Sequence, residues 1–361
     1  MKSSNIGGQA VLEGVMMKNQ EKYAVAVRKP DGKIEVKTEE YKSIAGESKF
    51  LKLPFIRGVF NFCDSLILGT RCLNYSASFY EDEDMEKTKT DKVVDKVSDG
   101  NSESVLSVIT VIISMVIAIA LFMVLPYFLA ELLKVYVRNA SLLALIEALI
   151  RVAIFLIYVV AISLMKDIRR VYMYHGAEHK CINCIERGRE LNVENVKKSS
   201  RLHRRCGTSF LLFVVFVSAV VFFFIRVDQP VLRVGLRILL IPVIAGISYE
   251  IIRLAGRSEN PIVKLISAPG LALQKLTTRE PDEAMIEVAI KSVEAVFDWR
   301  AFLGENFDYE EYKKGSEKET VTEEADEAEK TVVEETLAEE AVVETEDVAE
   351  ETVVSEEDSE E

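Results

Sequence analysis

Hydrophobic and polar positions along this chain fall into blocks with different periods. Near the N-terminus, Tyr23 to Arg28 and Ile34 to Thr38 alternate, and Lys29-Pro-Asp-Gly-Lys33 between them is turn chemistry. A small antiparallel β element over residues 1–45 is the expectation. Gly7, Gly8 and Gly14 in the same stretch mark tight turns or close backbone approach. Over residues 50–80 the spacing becomes helical, which predicts an amphipathic helix lying in a membrane interface or packed beneath membrane spans. A polar linker over 81–104 separates this helix from the first long apolar block.

Four apolar blocks come next, at about 105–130, 142–165, 207–225 and 231–252, and each predicts a transmembrane helix. The first runs from Val105 to Ala130, 26 residues without a charge, with a kink expected at Pro126. About 20 such residues cross a hydrocarbon core ~30 Å thick. The second block contains Glu147 and Arg151, four apart and so on one helix face; the fourth contains Arg233, Arg237 and Glu250. Ionisable groups inside spans are costly unless paired or near water. They either snorkel at the outer interface or line a polar intramembrane cavity. Beyond the spans, residues 256–304 read as a cytosolic helical segment, with Asp282 a plausible cap for a helix from Glu283 to Phe297.

Charge fixes the orientation of this membrane domain, 105–255. The middle loop, 166–208, carries 11 Lys and Arg, against two in 131–141 and one in 226–230. The positive-inside rule therefore places that loop and both termini in the cytosol, in a multi-pass protein of the cell (inner) membrane. No secretory signal precedes the first block. The formal net charge of −14 belongs to the C-terminus. Residues 317–361 hold 21 Asp and Glu but two Lys, leaving a mildly basic body. A Glu, Val, Thr and Ala tail without aromatics buries too little apolar surface to offset its ordering entropy, so 305–361 is expected to be a disordered acidic extension. The fold class is thus α+β membrane protein: four transmembrane helices, a small N-terminal antiparallel β element, interfacial amphipathic helices and the tail.

Candidate chemistry is confined to the middle loop. It holds all three histidines and three of the five cysteines: His175-Gly-Ala-Glu178-His179-Lys-Cys181-Ile-Asn-Cys184, then His203-Arg-Arg-Cys206. In a reducing cytosol these thiols favour metal binding or inert burial over disulfides. His-x-x-Glu-His matches the inverted zincin pattern, two imidazole ligands and a carboxylate base. If helical spacing continues past Leu164, His175 and His179 share a face and Glu178 lies beside them. A catalytic zinc needs a third protein ligand: His203, Cys206 or a carboxylate such as Glu194. His203 is the choice made from the residues, because an all-imidazole set suits activation of water near neutral pH. A rival set, Cys181, Cys184, His203 and Cys206, has the spacing of a closed structural zinc site. Without metal, His175 and His179 would simply face headgroups or cap a helix end.

Several segments together resemble a known family. They are Gly7-Gly-Gln-Ala-Val-Leu-Glu-Gly-Val-Met-Met17, Pro54-Phe-Ile-Arg-Gly58, Tyr174-His-Gly-Ala-Glu-His-Lys180, His203-Arg-Arg-Cys-Gly-Thr-Ser209, and Pro269-Gly270 through Leu276-Thr-Thr-Arg-Glu-Pro281. In motif order, over roughly residues 5–300, the chain resembles the YqhQ-like bacterial membrane proteins, domain of unknown function 1385, described as predicted metal-dependent enzymes. The resemblance implies a polytopic membrane protein and no settled reaction. Its motif takes in His175, Glu178, His179, His203 and Cys206 but neither Cys181 nor Cys184, which favours the histidine-centred site.

Two functions are expected on these grounds. One is a metal-dependent hydrolase at the cytosolic membrane face, with a divalent metal (zinc) on His175, His179 and His203, Cys206 as alternative ligand and Glu178 as general base. Lys180, Arg204 and Arg205 would then attract an anionic lipid headgroup or phosphate ester, unless they serve only the positive-inside signal. The alternative is a non-enzymatic membrane scaffold or biogenesis factor that docks a membrane protein complex, its His/Cys cluster a structural zinc site. A transporter ranks below both. Partners are the lipid bilayer and possible further copies of the chain; no nucleic acid is expected.

Overall fold

The structure is a computed structural model describing residues 2–46, 48–80, 102–225, 227, 229–257, 260–307 and 309. Most of the expected 81–104 linker and nearly all of the 305–361 tail lie outside these residues. The chain divides into two units, Met1–Phe297 and Asp298–Glu361. In the second, the described helix is Trp299–Phe307, capped by Asp298, whose Oδ1 accepts from the Ala301 backbone at 2.9 Å.

The first unit opens with four antiparallel strands in sequential order: β1 (Gly7–Val11), β2 (Gly14–Asn19), β3 (Lys22–Arg28) and β4 (Ile34–Glu40). The expected Lys29–Lys33 turn joins β3 to β4, with Gly32 at φ 83° and the Lys29 backbone N–H donating to Lys33 at 2.8 Å. The glycine-rich stretch does more than turn: it supplies both β1 and β2. β2 and β3 are buried on both faces. Val25, Val27 and Tyr23 pack with Met16 against Leu68 and Cys72 of helix α1 (Ile56–Ala77). The opposite face takes α11 (Glu283–Glu294), whose Ser292 hydroxyl donates to the Ala24 carbonyl. Asp282 caps α11 as expected, accepting from the Met285 N–H at 2.8 Å.

The apolar blocks form helices. Among the described residues three are long and apolar enough to cross a membrane: Ile109–Leu133, Ala140–Ser163 (α4) and Gly207–Phe224 (α7). A fourth crossing exists if α8 (Pro230–Leu239) and α9 (Ile241–Arg257), bent by 41° at Leu240, count as one span. Proline explains two irregularities. Pro242 has no N–H to continue the helix across Leu240. In the first span, α2 (Ser102–Ile119) passes through a π turn, Ala120–Val124, into α3 (Leu125–Leu133). Pro126 has no N–H for the carbonyl four residues back, at Phe122, and the wider turn accommodates its ring. That freed carbonyl accepts from Arg151 Nε at 3.1 Å. Arg151 and Glu147 do not snorkel: they are 2 % and 8 % exposed and join Arg237 of α8, 3 % exposed, in one ion cluster.

Helix α4 does not run on into the histidine segment. It ends at Ser163, Met165 takes an extended conformation, and α5 (Lys166–Glu186) begins anew. A short helix, α6 (Val193–Lys197), lies before α7, and α10 (Pro261–Thr277) follows α9.

Candidate metal centre

Helix α5 carries His175, Glu178, His179, Cys181, Cys184 and Glu186. Its second half is buried from Gly176 onward, because it is covered by β1, α11 and the segment after α10. Spacing of four sets His175 and His179 on one face, with ring centroids 4.4 Å apart. Cys206 reaches that face from another element. It is the N-cap of α7, its Sγ accepting from the Thr208 N–H at 3.3 Å. His175 Nε2 lies 3.2 Å from this sulfur. The ligand atoms of His175, His179 and Cys206 all lie within 4.8 Å of one another, and among the described residues they form the one group of three or more that is suited to an ion.

Both imidazoles are held from behind. His175 Nδ1 donates to the Thr277 carbonyl at 2.9 Å, and His179 Nδ1 donates to the Arg201 carbonyl at 2.6 Å. A carbonyl only accepts, so each Nδ1 bears a proton, and in the neutral imidazole the lone pair is then on Nε2. This is the outer-shell arrangement that orients metal-binding histidines. The residues present therefore fit a divalent ion, bound by two imidazoles and a thiolate. Glu178 stands beside them, its Oε2 3.9 Å from His175 Nε2. Burial raises its pKa, against the lowering influence of His175 and of the Gly8 backbone N–H on β1. Gly8 is tight against it: a Cβ there would lie 3.0 Å from Glu178 Cγ.

His203 stands next to this group rather than in it. Its ring centroid is 5.6 Å from that of His179, and its Nε2 lies 3.7 Å from Glu186 Oε2. Burial drives the His203 pKa down to about 4, although Glu186 opposes this. Burial alone would raise the Glu186 pKa, but His203, Arg205 and the Ser4 N–H together hold it at about 2. The rival cysteines also lie apart. Cys184 Sγ is 3.2 Å from the Glu190 carbonyl, and burial pushes the Cys181 thiol well above its usual range. Glu194 is on the surface, paired to Lys198 at 2.6 Å. Of the cations expected to draw in an anion, Lys180 is buried and held by the carbonyls of Lys197 and Ser199 and by Glu280, each at 2.9 Å. Arg205 binds Glu186 and the Ser3 hydroxyl.

Sequence reasoning missed Glu186, Thr277, Arg201 and Gln274. The first had a signal: it sits 7 and 11 residues past His179 and His175, on the same helical face. The others act through backbone atoms or at long range. Gln274 closes the loop by accepting from His203 N–H and donating to its carbonyl, both at 2.8 Å. Gly176 has a related role, since a Cβ there would overlap the Arg279 carbonyl oxygen, while Arg279 N–H donates to Tyr172 at 2.8 Å. Gly176→Ala is expected to push α5 off the segment that holds His175. The expected cost is about 1–3 kcal/mol of stability and about 10–100-fold in metal affinity, read by thermal melting and metal titration.

A model of the family described as "Protein of unknown function (DUF1385)" matches residues 53–299. The chain belongs to this family. It is also 39 % identical, over 308 residues, to the uncharacterized protein YqhQ of Bacillus subtilis (strain 168), an alignment covering 83 % of this chain and 94 % of the relative. The family match spans the whole histidine and cysteine segment and stops short of the acidic tail. No solved structure matches.

Proposed function

We propose that this family member is a metal-dependent hydrolase whose centre lies where the membrane domain meets the cytosol. The observation that carries the reading is the pair of Nδ1-to-carbonyl hydrogen bonds, which turn two Nε2 lone pairs toward the Cys206 sulfur. Three protein ligands leave a position open for catalysis. His175, His179 and Cys206 hold the ion, and the Thr208 N–H at the start of α7, which donates to the sulfur, favours negative charge there. When bound, a divalent metal such as zinc supplies Lewis acidity to a carbonyl or phosphoryl oxygen. Glu178 supplies the proton transfer. Its buried carboxylate, made more basic by desolvation, takes up a proton from attacking water and returns it to the leaving group. The basic loop of 166–208 supports a cytosolic position for this centre at the cell membrane.

A second reading is favoured by burial. His179, Glu178 and Cys206 are 1 %, 4 % and 5 % exposed, as expected of a structural ion that pins a scaffold or biogenesis factor. Glu178→Gln separates the two. The hydrolase reading expects the variant to keep its metal while losing about 100-fold or more of turnover, measured on fluorogenic ester, phosphoester and peptide substrates with zinc present. Equal turnover by parent and variant at equal metal content would reject it.

A further inference from the structure

Helix α10 is built inside out for a helix in water. Its buried positions are Ser267, Gly270, Leu273, Gln274 and Thr277, mostly small or polar. Its exposed positions include Ile262, Leu265 and Ile266, at 67 %, 74 % and 46 % exposure, and also Pro269. Spaced at i, i+3, i+4 and i+7, these four make one apolar stripe. Soluble helices turn such a stripe inward. Small residues facing a neighbouring helix are instead the habit of helices packed within a bilayer. A Cβ on Gly270 would meet Ser209 Oγ of α7 at 2.7 Å, and Gln274 is satisfied internally, its Nε2 donating to Ser209 Oγ at 2.8 Å.

The packing partners fix the depth. Leu273 belongs to one apolar cluster with Phe155 and Val159 of α4 and Leu212 and Val215 of α7. α4 ends at Ser163 and α7 begins at Gly207. At 1.5 Å per residue, the four span residues lie roughly 6–12 Å inside the ends of their helices. Leu273 is therefore at that level, and Gly270, against Ser209 near the start of α7, lies close to the same boundary. Its charged residues are Lys264 and Lys275, both exposed, on stems of the length that lets a lysine beside an apolar face extend to headgroups.

We propose that α10 is an interfacial membrane helix whose Ile262, Leu265, Ile266 and Pro269 stripe contacts lipid at the boundary between headgroups and acyl chains. This moves its residues from the cytosolic segment expected at 256–304 into the membrane surface. The proposal stands without the metal reading. It does give that centre an address, because the last residue of α10, Thr277, holds His175.

The chain has one tryptophan, Trp299, which makes the test direct. In a Trp299→Phe background, Leu265→Trp and, separately, Ile262→Trp are placed in vesicles of phosphatidylcholine and phosphatidylglycerol, with and without brominated acyl chains. Both sites are exposed, so the fold tolerates the larger ring. An apolar face buried ~5–10 Å predicts blue-shifted emission, quenching of at least about twofold by bromolipid, and protection from aqueous iodide. Quenching by iodide but not by bromolipid overturns the proposal. Protection from both quenchers, with cysteine cross-linking between chains at residue 265, overturns it in favour of contact with a second copy.

Discussion

His179→Ala is expected to abolish stoichiometric metal binding, with affinity falling by more than about 100-fold. Outer-shell substitutions alone cost about 10–100-fold, and His179 is a direct ligand in the proposed set. Cys206→Ala should behave alike, since its sulfur is the group that His175 Nε2 approaches at 3.2 Å. The informative comparison is His203→Ala. The residues by themselves favour His203 as third ligand, whereas the fold turns its Nε2 to Glu186, 3.7 Å away. Its loss should therefore cost within about tenfold, through the packing it gives His179. Cys184→Ala should leave metal content unchanged, because that thiol is occupied with the Glu190 carbonyl. Elemental analysis of the four purified variants beside the parent decides the ligand set. Metal lost with His203 and retained with Cys206 would restore the all-imidazole site; metal lost with Cys184, His203 and Cys206 but retained with His179 would point to the closed one.

Local pattern was the legible part of this molecule. Alternation around a turn dipeptide located β3 and β4, and uncharged length located the first apolar helix, because those signals sit in neighbouring residues. Gly7–Asn19 was harder: glycines announce a turn, but Gly8 and Gly14 lie inside strands that pass close to other chain segments. The i, i+4 pair of His175 and His179 was readable, since one helix carries both. The third partner was not. Choosing between His203 and Cys206 needed the point at which α7 begins, which makes Cys206 its cap and sends the neighbouring imidazole elsewhere. Backbone carbonyls from Arg201 and Thr277 leave no mark on side-chain spacing at all. The same limit applies to Glu147 and Arg151. Their pairing was visible, but Arg237, 90 residues away, came only with the fold.

Glu147→Ala is expected to be the most destabilising single change among the apolar helices. Glu147 Oε1 accepts from Arg151 Nη2 at 2.6 Å and lies 2.7 Å from Arg237 Nη1, while its Oε2 accepts from Arg237 Nη2 at 2.9 Å. One carboxylate thus serves two guanidiniums. Aromatic faces help: Phe222 lies 4.8 Å from Arg151 and 4.9 Å from Arg237, and Tyr127 lies 5.4 Å from Arg237. Neither ring replaces the counter-charge. Removing one partner from a buried ion cluster typically costs about 3–5 kcal/mol, because the remaining charges stay desolvated and unpaired. Native domains have only about 5–15 kcal/mol to lose, so a melting point about 5–15 °C lower in detergent is expected. Replacing all three residues with leucine removes the charges together and should cost far less, or stabilise. That contrast separates a structural clamp from a polar intramembrane cavity. A clamp loses stability with Glu147 and regains it in the triple variant. If Glu147→Ala instead melts within about 1 °C of the parent, water must already reach the two arginines, and the cluster lines a hydrated path through the apolar helices.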